Sequence, residues 1–156
     1  MNVQVFRTKS EEETVEAGQR LARLLGPREV VLLIGDLGAG KTTFAKGVVH
    51  GLGAAAPEDV VSPTFTLIHE YGSEPKIYHI DLYRIQNEHE ASALGLEELL
   101  DSEGIILVEW GERFPYLWPP ERVEVHFQWL SEQEREIRVL APQPTGDPRR
   151  RDTMSP

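Results

Sequence analysis

The sequence predicts an α/β domain of three layers, with a central, mostly parallel sheet and antiparallel hairpins added to it. Val30 to Ile34 is an unbroken apolar run, followed by a glycine-rich stretch and then by helical periodicity, the strand–loop–helix order of an α/β unit. Gly104 to Glu109 is a second run, wholly apolar up to its closing carboxylate, as expected of a strand covered on both faces. Residues 64–71 with 76–84, and 122–130 with 134–140, are rich in β-branched, aromatic or alternating residues and read as hairpins.

Taken in order, Asn2 to Arg7 alternates apolar and polar residues and predicts a short strand with Val3 and Val5 on one face. Ser10-Glu11-Glu12-Glu13 matches a capping box, so a helix starts at Ser10. Its apolar stripe is Val15, Gly18, Leu21, Ala22 and Leu25, and Gly26-Pro27 stops it. After the strand at Val30, a second helix shows Phe44, Ala45, Val48, Val49 and Leu52 at three- and four-residue spacing, with Gly53 as its cap. Residues 54–59 read as a loop and Gly72 to Pro75 as a turn. Glu88 to Leu100 predicts one helix, with Ala91, Leu94, Leu99 and Leu100 inward. Gly111 to Pro120 reads as an aromatic loop whose Phe114, Tyr116, Leu117 and Trp118 either cap the sheet or face a partner. Residues 1–140 thus form one domain, and 141–156, rich in Pro, Gly, Asp and Arg, read as a disordered tail.

The stretch Gly35-Asp36-Leu37-Gly38-Ala39-Gly40-Lys41-Thr42-Thr43 fills G-x-x-x-x-G-K-[ST] at every fixed position, between a predicted strand and a predicted helix. Glycines allow backbone turns closed to other residues, so that successive N–H groups point at a phosphate. The helix behind adds the positive end of its dipole. Lys41 suits the β- and γ-phosphates of a nucleotide, and the Thr42 hydroxyl suits a Mg²⁺ shell. This is a P-loop, and the predicted fold is NTPase-like.

Such a loop needs acidic partners for its metal and its water. Asp81 and Glu109 each close an apolar strand, at the carboxyl ends where open α/β sheets place their ligands. Thr64 and Thr66 lie between the P-loop helix and Asp81, where nucleotide switches place a hydroxyl-bearing loop, although threonine also simply favours strands. His79 reads as a strand residue. Trp110 either stacks on a ligand or covers the edge of the core.

Several classes are excluded. Asn2 and Asn87 are the only asparagines, and neither precedes Lys, so the Asn-Lys-x-Asp base-reading motif of a GTPase is absent. Asp81-Leu82-Tyr83-Arg84 lacks the glycine of an Asp-x-x-Gly switch, and there is no Ser-Gly-Gly-Gln signature of a transporter ATPase. A small-molecule kinase using the same loop stays open, with Arg84 and Arg113 as isolated candidates for its lid. The 156 residues carry a formal net charge of −10. Basic residues are scattered apart from Arg149-Arg150-Arg151, so contact with nucleic acid is expected through a partner. No cysteine, no membrane-length apolar run and no signal peptide at Met1 point to the cytoplasm.

The P-loop, Ser62-Pro63-Thr64-Phe65-Thr66-Leu67, His79-Ile80-Asp81-Leu82-Tyr83-Arg84 and Leu107-Val108-Glu109-Trp110 occur in an order and spacing that closely resembles the bacterial TsaE (YjeE) family, over residues 3–140. The resemblance implies a P-loop ATPase required for N6-threonylcarbamoyladenosine in tRNAs that read ANN codons. It implies TsaD and TsaB as partners that hold the transferase chemistry and most of the tRNA, with ATP hydrolysis resetting their assembly between turnovers. By position, Lys41 and the amides from Gly35 to Thr43 would hold phosphates, and Thr42 and Glu109 would bind Mg²⁺. Asp81 would be the Walker B acid or orient water, and Thr64 and Thr66 would be switch elements. Glu11 falls near the family's base site, and Arg135 in the last hairpin is a further candidate contact.

Overall fold

The computed structural model describes residues 2–142. Seven strands form one sheet in the order β1-β7-β6-β2-β5-β4-β3. The strands are β1 (Asn2–Thr8), β2 (Val30–Ile34), β3 (Ile68–Tyr71), β4 (Ile77–Asp81), β5 (Ile105–Glu109), β6 (Val123–Trp129) and β7 (Arg135–Ala141). The helices are α1 (Glu11–Ala22), α2 (Lys41–Gly51), α3 (Glu88–Ser92) and α4 (Leu96–Asp101). β2 lies at the centre, parallel to β5 on one side and to β6 on the other, and β4 continues the parallel set beyond β5. The hairpins β3–β4 and β6–β7 and the pairing of β1 with β7 are antiparallel. The expected three-layer architecture is therefore present.

Alternate residues of the central strands feed two cores. Val31, Leu33 and Leu107 pack with Phe44, Val48 and Val49 of α2 and with Ala17 and Leu21 of α1. Leu32, Ile80, Ile106 and Val108 pack on the other face with Ala91, Leu96, Phe114 and Trp118. β2 and β5 are thus covered on both faces, which is why their sequences run apolar without alternation. The aromatic loop mostly caps this second core: Phe114 and Trp118 are buried, while Tyr116 stays exposed.

α1 and α2 meet backbone to backbone. A Cβ on Gly47 would lie 1.9 Å from the Val15 carbonyl oxygen, and one on Gly18 would lie 2.2 Å from that of Phe44. This contact fixes the start of α1 beside the P-loop at the start of α2.

Val3 and Val5 share one face of β1, and it is the exposed one; Phe6 is half-buried and Thr8 buried on the other. Several expectations are corrected. The strand expected from Thr64 starts only at Ile68. After Pro63 the chain makes one turn, closed by the Leu67 amide donating to the Pro63 carbonyl at 2.6 Å, with Leu67 at φ 73°. β4 stops at Asp81 rather than Arg84. The helix expected over 88–100 is broken into α3 and α4, because Gly95 takes φ 79° and caps a new start. α1 ends at Ala22, ahead of Gly26-Pro27. The loop 111–120 carries two short 3₁₀ turns, Gly111–Arg113 and Pro115–Leu117. Ala141, assigned to the tail by composition, is the last residue of β7 and pairs with Asn2. The expected disorder over 143–156 lies outside the described residues.

Candidate functional site

A cavity of about 510 Å³ opens at the carboxyl ends of β2, β4 and β5. Its floor is the P-loop. Gly38 at φ 79° and Gly40 at φ 105° hold a conformation that side chains resist, and a Cβ at Gly38 would meet nothing within 4 Å. Gly40 is the N-cap of α2 and offers no side-chain cap, so the first-turn amides are not occupied by one. Leu37 at the tip is exposed, whereas Ala39 turns its methyl group into the core. Asp36 closes the loop by accepting from the Ala39 amide at 3.1 Å through its carbonyl.

Lys41 is only 4% exposed. Its ammonium donates to the Gly35 carbonyl at 2.7 Å and lies 3.5 Å from the centroid of the Trp110 ring. Burial pulls its pKa below the usual lysine value, opposed by Glu109, Glu112, Asp81 and Asp36. Trp110 packs against the edge of the second core, and its indole face also receives the P-loop lysine.

The register of β4 with β5 sets Asp81 beside Glu109. Thr42 Oγ1 donates to Glu109, 3.0 Å from Oε2 and 3.2 Å from Oε1. Thr64 Oγ1 donates to Asp81 Oδ2 at 3.0 Å, and Asp81 Oδ1 accepts from the Tyr83 amide at 2.8 Å. Thr42, Thr64, Asp81 and Glu109 thus line one cavity. Thr43 lines the wall as well. Glu11 and Arg135 line it from the far side, at the start of α1 and of β7. Arg135 donates to the Gly38 carbonyl at 3.2 Å and to the Ser131 carbonyl at 2.7 Å, which ties the β6–β7 turn to the P-loop.

Thr66 is not brought to the site. Its hydroxyl pairs with His69 Nε2 at 2.7 Å, because the turn after Pro63 rotates it away from Thr64. Two wall residues, Thr14 and Gln133, carried no motif signal in the sequence, and Ser62 stood there only as the first residue of the Ser62-to-Leu67 block. Ser10 was legible only as a helix cap, and it does cap α1 by accepting from the Glu13 amide at 3.1 Å. His79, read as a strand residue, lies fully buried with Nε2 2.6 Å from Glu109 Oε2.

The donors available to a cation are all oxygen: the Thr42 hydroxyl and the carboxylates of Glu109 and Asp81. Among the described residues no group of three or more His, Cys, Asp or Glu is placed to hold a metal alone. Mg²⁺ is commonly held by one or two carboxylates together with phosphate oxygens, and this set fits that requirement.

A strand, a glycine loop with two left-handed glycines, a helix behind it, and paired carboxylates on neighbouring parallel strands define a P-loop NTPase-like protein. The profile described as Threonylcarbamoyl adenosine biosynthesis protein TsaE matches residues 8–137, and the chain belongs to that family. The tRNA threonylcarbamoyladenosine biosynthesis protein TsaE of Bacillus subtilis is 43% identical over 138 residues, covering 87% of this chain and 84% of its own. That of Aquifex aeolicus is 39% identical over 132 residues, covering 84% of this chain and 91% of its own. The crystal structure of Bacillus subtilis YdiB superposes with a TM-score of 0.73 at 35% identity, covering 90% of this chain and 86% of that one.

Proposed function

We propose that the chain binds ATP with Mg²⁺ and hydrolyses it slowly, supporting a TsaD–TsaB complex that forms N6-threonylcarbamoyladenosine on tRNA reading ANN codons, and resetting that complex between turnovers. The observation that carries the reading is the pair of hydroxyl–carboxylate contacts at the mouth of the P-loop, Thr42 to Glu109 and Thr64 to Asp81, each at 3.0 Å. They bring a helix, two parallel strands and the loop after Pro63 to one point, where a γ-phosphate would be read.

In this reading the loop amides from Gly35 to Thr43 and the α2 dipole bind the phosphates. Lys41 leaves Gly35 and Trp110 to meet the β- and γ-oxygens. Thr42, Glu109 and Asp81 would hold Mg²⁺, which would supply charge neutralisation at those oxygens. Asp81 has Oδ1 on the Tyr83 amide and uses Oδ2 to orient a water through Thr64. Glu11 and Arg135 face the nucleoside end.

Slow intrinsic turnover follows from where the arginines are. Arg113 donates to the Leu82 and Tyr83 carbonyls, Arg84 lies over Phe65, and Arg135 is tied to the β6–β7 turn. Transition-state charge is then left for a partner to meet, and such a supplied arginine is worth roughly 10³–10⁵ in rate. The net charge of −10 fits a role in which the partners carry most of the tRNA contact. Among the described residues no helix is long and apolar enough to cross a membrane.

Steady-state ATP hydrolysis by wild type and Lys41→Ala, with and without TsaB and TsaD, tests the proposal. Stimulation by the pair that is lost in the variant supports it, and equal rates with and without them overturn it. Labelled ATP incubated with a metabolite pool separates the kinase alternative, which requires a phosphorylated small product rather than free phosphate.

A further inference from the structure

Behind the carboxylates of the site lies a buried polar side chain that this mechanism does not use. His79 is 0% exposed and sits in the middle of β4, between core residues Ile77 and Ile80. A strand position of this kind ordinarily takes an apolar residue, because a buried imidazole without partners costs free energy. His79 has one partner. Its Nε2 lies 2.6 Å from Glu109 Oε2, while Nδ1 has no hydrogen-bond partner among the described residues. A carboxylate only accepts, so the proton between them is on Nε2, and the ring gives its single hydrogen bond to Glu109.

Glu109 is itself buried, at 4% exposure, and its carboxylate also accepts from Thr42. Two donors, one on a neighbouring strand and one on α2, therefore converge on its Oε2 and restrain the carboxylate. A glutamate has three rotatable bonds, and a free one would sample several of them. We infer that His79 is a positioning residue: it holds the Glu109 carboxylate in the orientation in which that group, with Thr42, receives the divalent cation accompanying a nucleotide. This rests on the reading of the site as a Mg²⁺–nucleotide site. Partners that orient metal-binding side chains in this way typically change metal affinity by about 10–100-fold when removed.

The test uses His79→Leu, which keeps an apolar strand residue without a donor, and His79→Gln, whose side-chain amide reaches about as far as Nε2 and can donate there. Calorimetric titration with a non-hydrolysable ATP analogue is run in Mg²⁺ and again in excess EDTA, with thermal melting to check the fold. For wild type, Mg²⁺ should tighten binding. For His79→Leu that tightening should fall about tenfold or more while binding in EDTA stays within twofold, and His79→Gln should recover most of it. Equal weakening of His79→Leu in both conditions, or none, overturns the inference and leaves the reading of the site intact. A wild type whose binding does not respond to Mg²⁺ overturns both. If His79→Leu does not fold, His79→Gln decides: a folded protein with the Mg²⁺ response retained supports the inference, and one with the response lost overturns it.

Discussion

The ammonium of Lys41 rests 3.5 Å from the centroid of the Trp110 indole, with Gly35 accepting one of its protons at 2.7 Å. Trp110 reaches this position because it follows Glu109 at the end of β5 and turns through φ 66°, with Tyr83 packed against it at 5.1 Å between centroids. The ring face partly replaces the water that a buried cation has lost. The P-loop lysine and the strand-end tryptophan are thus coupled.

That coupling gives an optical readout. Nucleotide binding should draw Lys41 off the indole and change Trp110 emission. Titration of the wild type with an ATP analogue is expected to give a saturable fluorescence change. Trp110→Phe should abolish it, although Trp118 and Trp129 still emit. A change of the same size in Trp110→Phe would mean that Lys41 does not exchange the indole for phosphate.

The parts of this site legible in the sequence are those in which one residue type is forced. Gly38, Gly40, Lys41 and Thr42 are fixed by backbone conformation and phosphate chemistry, and the apolar runs into Asp81 and Glu109 follow from strands buried on both faces. Contacts that depend on register were not legible. Whether His79 meets Glu109 follows from how β4 slides on β5, and Thr64 is separated in role from Thr66 only by the turn after Pro63. Which face of β1 turns inward was likewise not legible, since Val3 and Val5 on one face are apolar like Phe6 on the other, and only the tertiary fold half-buries Phe6 and buries Thr8.

The contact of α1 with α2 makes Gly47 a stability determinant. An alanine methyl group there would meet the Val15 carbonyl carbon and oxygen, at 2.8 and 1.9 Å, and both are backbone atoms that cannot rotate away. Gly47→Ala should destabilise by about 2–3 kcal/mol through overpacking, outweighing the roughly 1 kcal/mol that alanine gains in helix propensity. Urea unfolding checks the value. An unchanged or raised midpoint would mean that the helices can separate without loss.

Glu112 should make stability pH-dependent. Burial raises its pKa above the ordinary 4.5, against smaller opposing effects that include Lys41, His126 and Arg113. The folded state therefore holds this proton more tightly than the unfolded chain. Its contribution to stability is complete below pH 4.5 and is lost as pH rises through the higher folded value. Glu112→Gln removes the ionisation, so its melting temperature should exceed that of wild type at pH 7.5 and converge with it near pH 4. A gain of equal size at both pH values would assign the effect to packing instead.

Thr64 and Thr66 belong to one short motif but should differ sharply. Thr64 donates to Asp81 at 3.0 Å, whereas Thr66 faces His69. A hydrogen bond to a charged group contributes about 1.5–3 kcal/mol, which corresponds to roughly tenfold or more in rate when it is required in the transition state. Thr64→Val, which keeps shape and removes the donor, should lower partner-stimulated ATP hydrolysis by about tenfold or more with little change in nucleotide affinity. Thr66→Val should stay within about twofold, since its hydroxyl only braces the β3 side of the turn. Single-turnover hydrolysis with saturating nucleotide distinguishes the two. Equal losses in both variants would mean that the turn as a whole, rather than the Thr64–Asp81 contact, reads the γ-phosphate.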